Sequence, residues 1–139
     1  MREILFKAKR LSDGEWVEGY YIGPIGVLDV HEICDIHDIT GPRVEVDPST
    51  VCECTGLTDK NGKKIFEGDI VHYVYEPRRG FWNANQNGII SFRGAGFRLE
   101  GIMGTNKYAC MSGWLSQLPI GDGEFFEVIG SIHDGEGGQ

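Results

Sequence analysis

Short apolar runs alternate with polar turns along the whole chain, and this pattern is typical of a mainly β protein. The first clear case lies within residues 3–22, where apolar and polar side chains alternate over residues 4–8. A polar turn at 12–15 follows, and a second apolar run returns from Trp16. Because side chains in a strand alternate between two faces, these runs predict an N-terminal hairpin. We expect Gly19, inside the second run, to mark a β-bulge.

The segment from Thr55 to Val71 is the most informative part of the chain. It contains Asn61-Gly62, a dipeptide typical of a two-residue hairpin turn in which both central residues take positive φ. A short strand, a second turn at residues 67–69 and a longer apolar strand follow. The segment therefore predicts architecture, and we assign no chemistry to its residues.

The remaining pattern predicts further strands and at most one or two short helices. The expected elements are a short strand followed by irregular structure in 25–40, extended pieces at 44–46 and 51–54, a strand at 69–76, a hairpin of 89–93 with 97–100, a helix at 107–118 and a last strand at 125–132. Gly113 weakens the helix. The glycine-rich end, about residues 134–139, is expected to fray.

Composition and charge indicate one acidic folded domain. The chain has 139 residues, of which 40% are hydrophobic, so we expect a single domain over 1–139 with its own core. The net charge of −8 argues against broad binding to nucleic-acid backbones. Residues 27–54 hold seven acidic residues against Arg43 alone, whereas residues 55–107 are net basic. Without a signal peptide or a membrane-length apolar segment, we expect a cytoplasmic location.

Four cysteines and nearby histidines raise the question of a metal site. Cys52 and Cys54 are separated by one residue, which is shorter than the usual spacing of a zinc knuckle. In a strand both side chains point to one face, where a cysteine behaves as a small apolar residue. We therefore expect core packing and assign no metal. The alternative is a small metal-dependent enzyme in which these two cysteines meet His31, Cys34 and His37.

No other pattern predicts catalysis. His37-Asp38 and His133-Asp134 are adjacent pairs, and adjacent side chains on a strand face opposite ways. The Gly62-Lys63-Lys64 stretch lacks the earlier glycine and the following Ser or Thr of a phosphate-binding loop. We expect no catalytic residue and no cofactor.

The loop Arg78-Arg79-Gly80-Phe81-Trp82 is the strongest candidate for a binding site. Two guanidinium groups lie beside two aromatic rings where a strand breaks, so Arg78, Arg79, Phe81 and Trp82 are the predicted partner-binding residues. A structural role, with the rings capping the fold and the arginines solvated, is the competing interpretation. A second alternative function is binding of single-stranded nucleic acid by the 78–98 region, with Arg93 and Arg98 added to the four loop residues.

Several segments in order give the chain a specific resemblance. They are residues 2–8, Trp16 to Tyr21, Val46 to Val51, Thr55 to Val71 and the closing Glu127 to Ile132. With these segments the chain resembles the YopX proteins of phages and prophages over nearly its whole length, although residues 25–43 and 76–124 match only loosely.

The resemblance implies a small β-barrel of the Src-homology-3-like type, an origin on a mobile element and self-association. It supplies no activity. Together with the residues, it leads us to expect a non-catalytic accessory protein that acts by protein association in a bacterial host cell. The expected partners are further copies of the chain and a host or phage protein.

Overall fold

The structure, a computed structural model, describes residues 4–24, 29–37, 40–76, 84–94, 96–104, 112–118, 120 and 123–134. The backbone divides into two compact units, one formed up to Cys54 and one from Thr55 to Asp134. The expectation of one domain stays a prediction. In the described part of the chain, no helix is long and apolar enough to cross a membrane.

The first unit is an antiparallel sheet. Its strands are β1 (Phe6–Lys9), β2 (Trp16–Ile22), β3 (Glu32–Asp35), β4 (Val44–Glu45) and β5 (Cys52–Thr58). They lie in the order β4-β3-β2-β1-β5, with a single turn of 3₁₀ helix at Pro48–Thr50 before β5. Ala8, Val17, Ile33 and Val46 form the buried core on one side. The predicted N-terminal hairpin is confirmed by the pairing of β1 with β2.

The second unit begins within β5, which continues beside β6 (Lys64–Phe66). Its five-stranded sheet contains β7 (Asp69–Tyr75), β8 (Ala84–Arg93), β9 (Gly96–Gly104), β10 (Gly113–Trp114) and β11 (Phe126–Ser131). The strand order is β10-β9-β8-β7-β11, and neighbouring strands in this order are antiparallel. The core is built from alternate residues of these strands, with the rings of Tyr73 and Phe126 4.9 Å apart at its centre.

The mainly β prediction is confirmed, and the helix prediction is wrong over its described part. Gly113 and Trp114 are a short strand paired with β9, and residues 115–117 form a turn. Glycine is a poor helix former, and Trp114 gains a cross-strand partner in Arg98, so tertiary contacts decide against the helix. Among the described residues neither sheet closes into a barrel, since each strand order has two ends. The tail expected to fray lies outside the described residues beyond Asp134.

Gly19 does not mark a bulge, contrary to the prediction. It pairs in regular register with Phe6 on one side and Asp35 on the other. A Cβ atom at this position would lie only 1.9 Å from the carbonyl oxygen of Cys34. The glycine is therefore required because β2 and β3 approach closely.

The Asn61-Gly62 hairpin forms, but its turn differs from the predicted one. Gly62 has φ of 82°, whereas no non-glycine residue in the described part of the chain has positive φ. The Gly62 amide donates to the Asp59 carbonyl at 3.0 Å, and the Asp59 amide donates to the Lys63 carbonyl at 2.7 Å. This pattern is a longer loop in which a turn begins at Asp59 and only the glycine takes the left-handed conformation.

The Asp59 side chain ties this turn to the last strand. Its Oδ1 accepts hydrogen bonds from the amides of Asn61 and Lys63, each at 2.9 Å. Its Oδ2 accepts from the amide of Val128 in β11, also at 2.9 Å. Burial alone raises the pKa of this carboxyl, but the three amide donors, together with the charge of Lys63, hold the pKa below its ordinary value.

Asp59→Asn is expected to lower the free energy of unfolding by about 1–3 kcal/mol, because the amide NH₂ must face a backbone N–H donor. Urea denaturation measures the loss. Since the folded-state pKa lies below the ordinary 3.8, the wild-type advantage is complete above that pH and shrinks as the pH falls through the folded-state pKa.

The matched control is Asp13→Asn. Asp13 also accepts a turn amide, that of Glu15, but it lies in an exposed turn. Its substitution should cost clearly less. Equal losses for the two variants, or a wild-type advantage that does not change with pH, would contradict the role given to Asp59.

Gly19→Ala is expected to cost about 1–3 kcal/mol, because the new methyl group collides with backbone rather than with a flexible side chain. Gly96→Ala serves as the control, since its Cβ would meet the Trp114 ring at 3.5 Å, an ordinary contact. That change should stay within about 0.5 kcal/mol. Thermal unfolding of both variants decides, and similar destabilisation of the two would refute the close-approach explanation.

Candidate functional site

The predicted partner-binding residues Arg78, Arg79, Phe81 and Trp82 lie outside the described residues. Their assignment stays a prediction. The site is therefore sought among the residues that the structure does describe.

The cysteines and histidines of the metal hypothesis do not converge. Cys52 and Cys54 are buried in β5, with 1% and 7% of their surface exposed, and the Cys52 thiol donates to the Thr50 carbonyl at 3.2 Å. Core packing of these two cysteines is thus confirmed. Within the described residues, no three His, Cys, Asp or Glu side chains are grouped so that they could hold a metal ion.

The second His-Asp pair serves a turn. The Asp134 carboxylate accepts the amide of Ser131 at 2.8 Å, and the His133 amide donates to the Ser131 hydroxyl at 3.1 Å. These bonds close the chain after β11. In the first pair, Asp38 lies outside the described residues, and the His37 amide donates to Asp35.

The side of the five-stranded sheet opposite its core is the less buried one among the described residues, and we call it the open face. Burial alternates along β7 and β8, so that Val71 and Tyr73 are buried while Ile70 and His72 are only partly covered. The open face comprises Ile70, His72 and Val74 of β7, Asn85, Asn87, Ile89, Ser91 and Arg93 of β8, Arg98, Glu100 and Ile102 of β9, Trp114 of β10, and Glu127 and Ile129 of β11.

Two β-bulges place isoleucines on the open face. In β11 the register passes from Val128 to Gly130, which leaves Ile129 without a strand partner. In β9 it passes from Gly101 to Met103, which leaves Ile102 without one. These side chains are 52% and 50% exposed, so they lie on the solvent side rather than on the core side. A bulge redirects a side chain in this way.

These isoleucines continue a row across the sheet. Ile70 and Ile89 are directly paired on the two central strands, and each is partly buried. Ile129 precedes Gly130, the partner of Ile70, and Ile102 lies two residues beyond Glu100, the partner of Ile89. We call this oblique set of four the isoleucine row. The sequence did not predict it, because an alternating pattern does not show where a bulge turns an isoleucine toward solvent. A glycine beside each bulged isoleucine, Gly101 and Gly130, was the available signal.

Charged and aromatic groups lie on one side of the row. Glu100 accepts a hydrogen bond from Arg98 at 2.9 Å and lies 3.6 Å from the Arg93 guanidinium. The hydrogen bond from Arg98, more than the nearby charges, holds the pKa of Glu100 below its ordinary value against the effect of burial. The Arg98 guanidinium also lies 4.6 Å from the centre of the Trp114 ring.

These contacts weaken the alternative of nucleic-acid binding through Arg93 and Arg98. Both guanidinium groups share the carboxylate of Glu100, so the two arginines and this glutamate together carry about one net positive charge. One side of the Trp114 ring is occupied by Arg98, which limits base stacking. The four loop residues of that alternative lie outside the described part of the chain.

Polar groups on the other side of the row are held in fixed positions. The Nδ1 of His72 and the Oδ1 of Asn87 are 2.8 Å apart. Because an amide oxygen only accepts, His72 must carry its proton on Nδ1, and the neutral ring then presents Nε2 as an acceptor. The Oδ1 of Asn85 is buried and has no hydrogen-bond partner among the described residues.

The first unit contains a hydrogen-bonded chain that the sequence did not predict. The Tyr21 hydroxyl contacts Nδ1 of His31, and Nε2 of His31 lies 2.8 Å from a carboxylate oxygen of Asp29. The aromatic rings of Tyr21 and His31 are nearly parallel, with 12° between their planes. Tyr21 was interpreted only as part of a strand, and the connection before β3 had no regular period, so no sequence signal brought the three together.

The comparisons with known proteins give one match. The model of the YopX family, described as YopX protein, matches residues 5–136. No curated protein and no solved structure matches the chain. The matched range covers nearly the whole chain and includes both Asp59 and the Val128 amide that it binds. The chain belongs to the YopX family.

Proposed function

We propose that the chain is a non-catalytic accessory protein of a phage or prophage, that it acts by association with protein, and that it associates with further copies of itself through the open face. The bacterial cytoplasm is its expected location. The resemblance to YopX proteins of phages and prophages implies an origin on a mobile element, and membership of that family supports this part of the proposal. The isoleucine row is the observation that carries the choice of surface.

The isoleucine row favours association because it exposes apolar side chains on a rigid element. Ile102 and Ile129 each leave about half of their surface in solvent. Transfer of such surface from water into an interface stabilises a complex by roughly 25 cal/mol per Å² of buried apolar area. Both residues project from paired strands, so little conformational entropy is lost when they are covered.

The charges of the open face favour a second copy as the occupant. The chain as a whole carries −8, and two such chains repel each other. The open face instead carries two positive side chains, Arg93 and Arg98, and two negative ones, Glu100 and Glu127, so that its charges balance. In a two-fold dimer the same patch meets itself, and a patch with both signs can be complementary to itself.

Under this proposal, substitutions in the segment from Thr55 to Val71 impair function by destabilising the fold. Asp59 and Gly62 organise the hairpin turn, and Asp69 is fully buried, with its carboxylate accepting the Phe66 amide at 2.8 Å. These residues support the sheet that carries the open face. A relation of the fold to Src-homology-3-like barrels is a further part of the proposal.

The double variant Ile102→Asp with Ile129→Asp is expected to weaken self-association at least tenfold, because two carboxylates must then be buried against an apolar row. Sedimentation velocity over a range of concentrations measures the change. Circular dichroism melts should stay close to wild type, since both side chains are half exposed.

Ile4→Asp with Leu11→Asp is the matched control. These side chains are 53% and 57% exposed and lie in the first unit, so the same number of exposed apolar residues is lost. Self-association should be unchanged. A wild-type chain that stays monomeric at high micromolar concentration, or equal loss in both double variants, would overturn the assigned surface.

A further inference from the structure

Tyr21, His31 and Asp29 form a hydrogen-bonded chain in the first unit that is not explained by association. Tyr21 lies near the end of β2, opposite Ile33 of β3. His31 immediately precedes β3, and its carbonyl accepts the amide of Val46 at 2.8 Å. The backbone on both sides of the contact is therefore fixed by sheet pairing.

The hydrogen bonds give each group a defined role. A neutral imidazole has one donor and one acceptor nitrogen, and a carboxylate only accepts. Because Nε2 of His31 faces the carboxylate of Asp29 at 2.8 Å, Nε2 carries the proton and Nδ1 is the acceptor. The Tyr21 hydroxyl then donates to Nδ1, which is the direction needed for removal of its proton.

This is the arrangement of an activated nucleophile. Tyrosine is among the side chains that form covalent intermediates, and it is weakly nucleophilic until a base takes its proton. The diagnostic geometry is a nucleophile bonded to a base that a third group orients. Tyr21, His31 and Asp29 fill these three positions. No sequence motif joins these three residues.

The surroundings of Tyr21 define the class of reactant. Tyr21 is partly exposed, and Gly23 lies beside its hydroxyl, where a Cβ would come within 3.5 Å of the oxygen. Asp29 itself and Glu32 make the neighbourhood acidic. An anionic phosphoryl donor is repelled there, whereas an uncharged acyl ester is not.

We propose that Tyr21 is a nucleophilic acyl-acceptor site, activated by His31 and positioned through Asp29, for activated acyl esters without charge. The Tyr21 oxygen forms a bond to the acyl carbon, and its proton passes to Nδ1 of His31. The bond from the acyl carbon to the leaving alcohol then breaks, and the leaving oxygen takes the electron pair and that proton. The products are an acyl-tyrosine ester and the free alcohol, so no oxidant or metal is needed.

The test is covalent labelling of the full chain with p-nitrophenyl acetate, followed by peptide mass spectrometry. Tyr20, the next residue, is 41% exposed and belongs to the large exposed side chains, whereas Tyr21 is only partly exposed. Exposure alone therefore predicts faster acetylation of Tyr20. The proposal predicts at least tenfold faster acetylation of Tyr21, in line with the gain from a positioned general base.

Variants separate activation from simple reactivity. Tyr21→Phe removes the label at this position, and His31→Gln slows acetylation of Tyr21 to the rate at Tyr20 or below. Asp29→Asn slows Tyr21 but leaves Tyr20 unchanged, and Asp29→Glu restores the rate. Because the Asp29 carboxylate is 86% exposed, its variants keep the fold even where His31→Gln does not. Faster labelling of Tyr20 in the wild type, or an unchanged Tyr21 rate in Asp29→Asn, would refute the proposal.

This inference is independent of the proposed function. Self-association is read from sedimentation and acyl transfer from the labelled residue, so either can fail without the other.

Discussion

The carboxylate of Asp59 is the interaction on which the second unit depends. It accepts hydrogen bonds from three backbone amides, two in its own turn and one in β11. Asp59 as a whole is buried, with 5% of its surface exposed. The adjacent Lys60 amide donates to the Phe126 carbonyl at 2.9 Å. Together these bonds cover part of the free edge of β11, which would otherwise offer unpaired groups to another chain. Edge-to-edge pairing is thereby disfavoured on that side of the sheet.

Asp59 and Asp69, two polar residues of the segment from Thr55 to Val71, therefore support architecture rather than chemistry. Asp59 holds the hairpin to the last strand, and Asp69 holds the amide of Phe66 inside the core. The accessible groups lie in the bulges of β9 and β11 and in the connection before β3. Those are positions where the regular strand pattern is interrupted, and interruptions of this kind are common next to functional surfaces.

The sequence predicts regular pairing well and its interruptions poorly. The N-terminal hairpin, the turn after Asp59 and the last strand follow from alternation and turn residues, because both are local properties. Gly19 was misinterpreted, because the reason for this glycine is a neighbour distant in sequence, the carbonyl of Cys34. The helix predicted at 107–118 was wrong for a similar reason, because Gly113 and Trp114 pair with the β9 strand. The isoleucine row and the Tyr21–His31–Asp29 chain were missed for the same reason. A bulge or a long-range hydrogen bond leaves almost no periodic signal.

The most direct test of the central claim is hydrogen–deuterium exchange of the wild-type chain at low and high protein concentration. Association through the open face should increase protection with concentration in peptides from β9 and β11, around Ile102 and Ile129, and in the central strands between them. Peptides of the first unit should exchange at the same rate at both concentrations. Concentration-dependent protection confined to the first unit, or none anywhere, would contradict the open face as the surface of association.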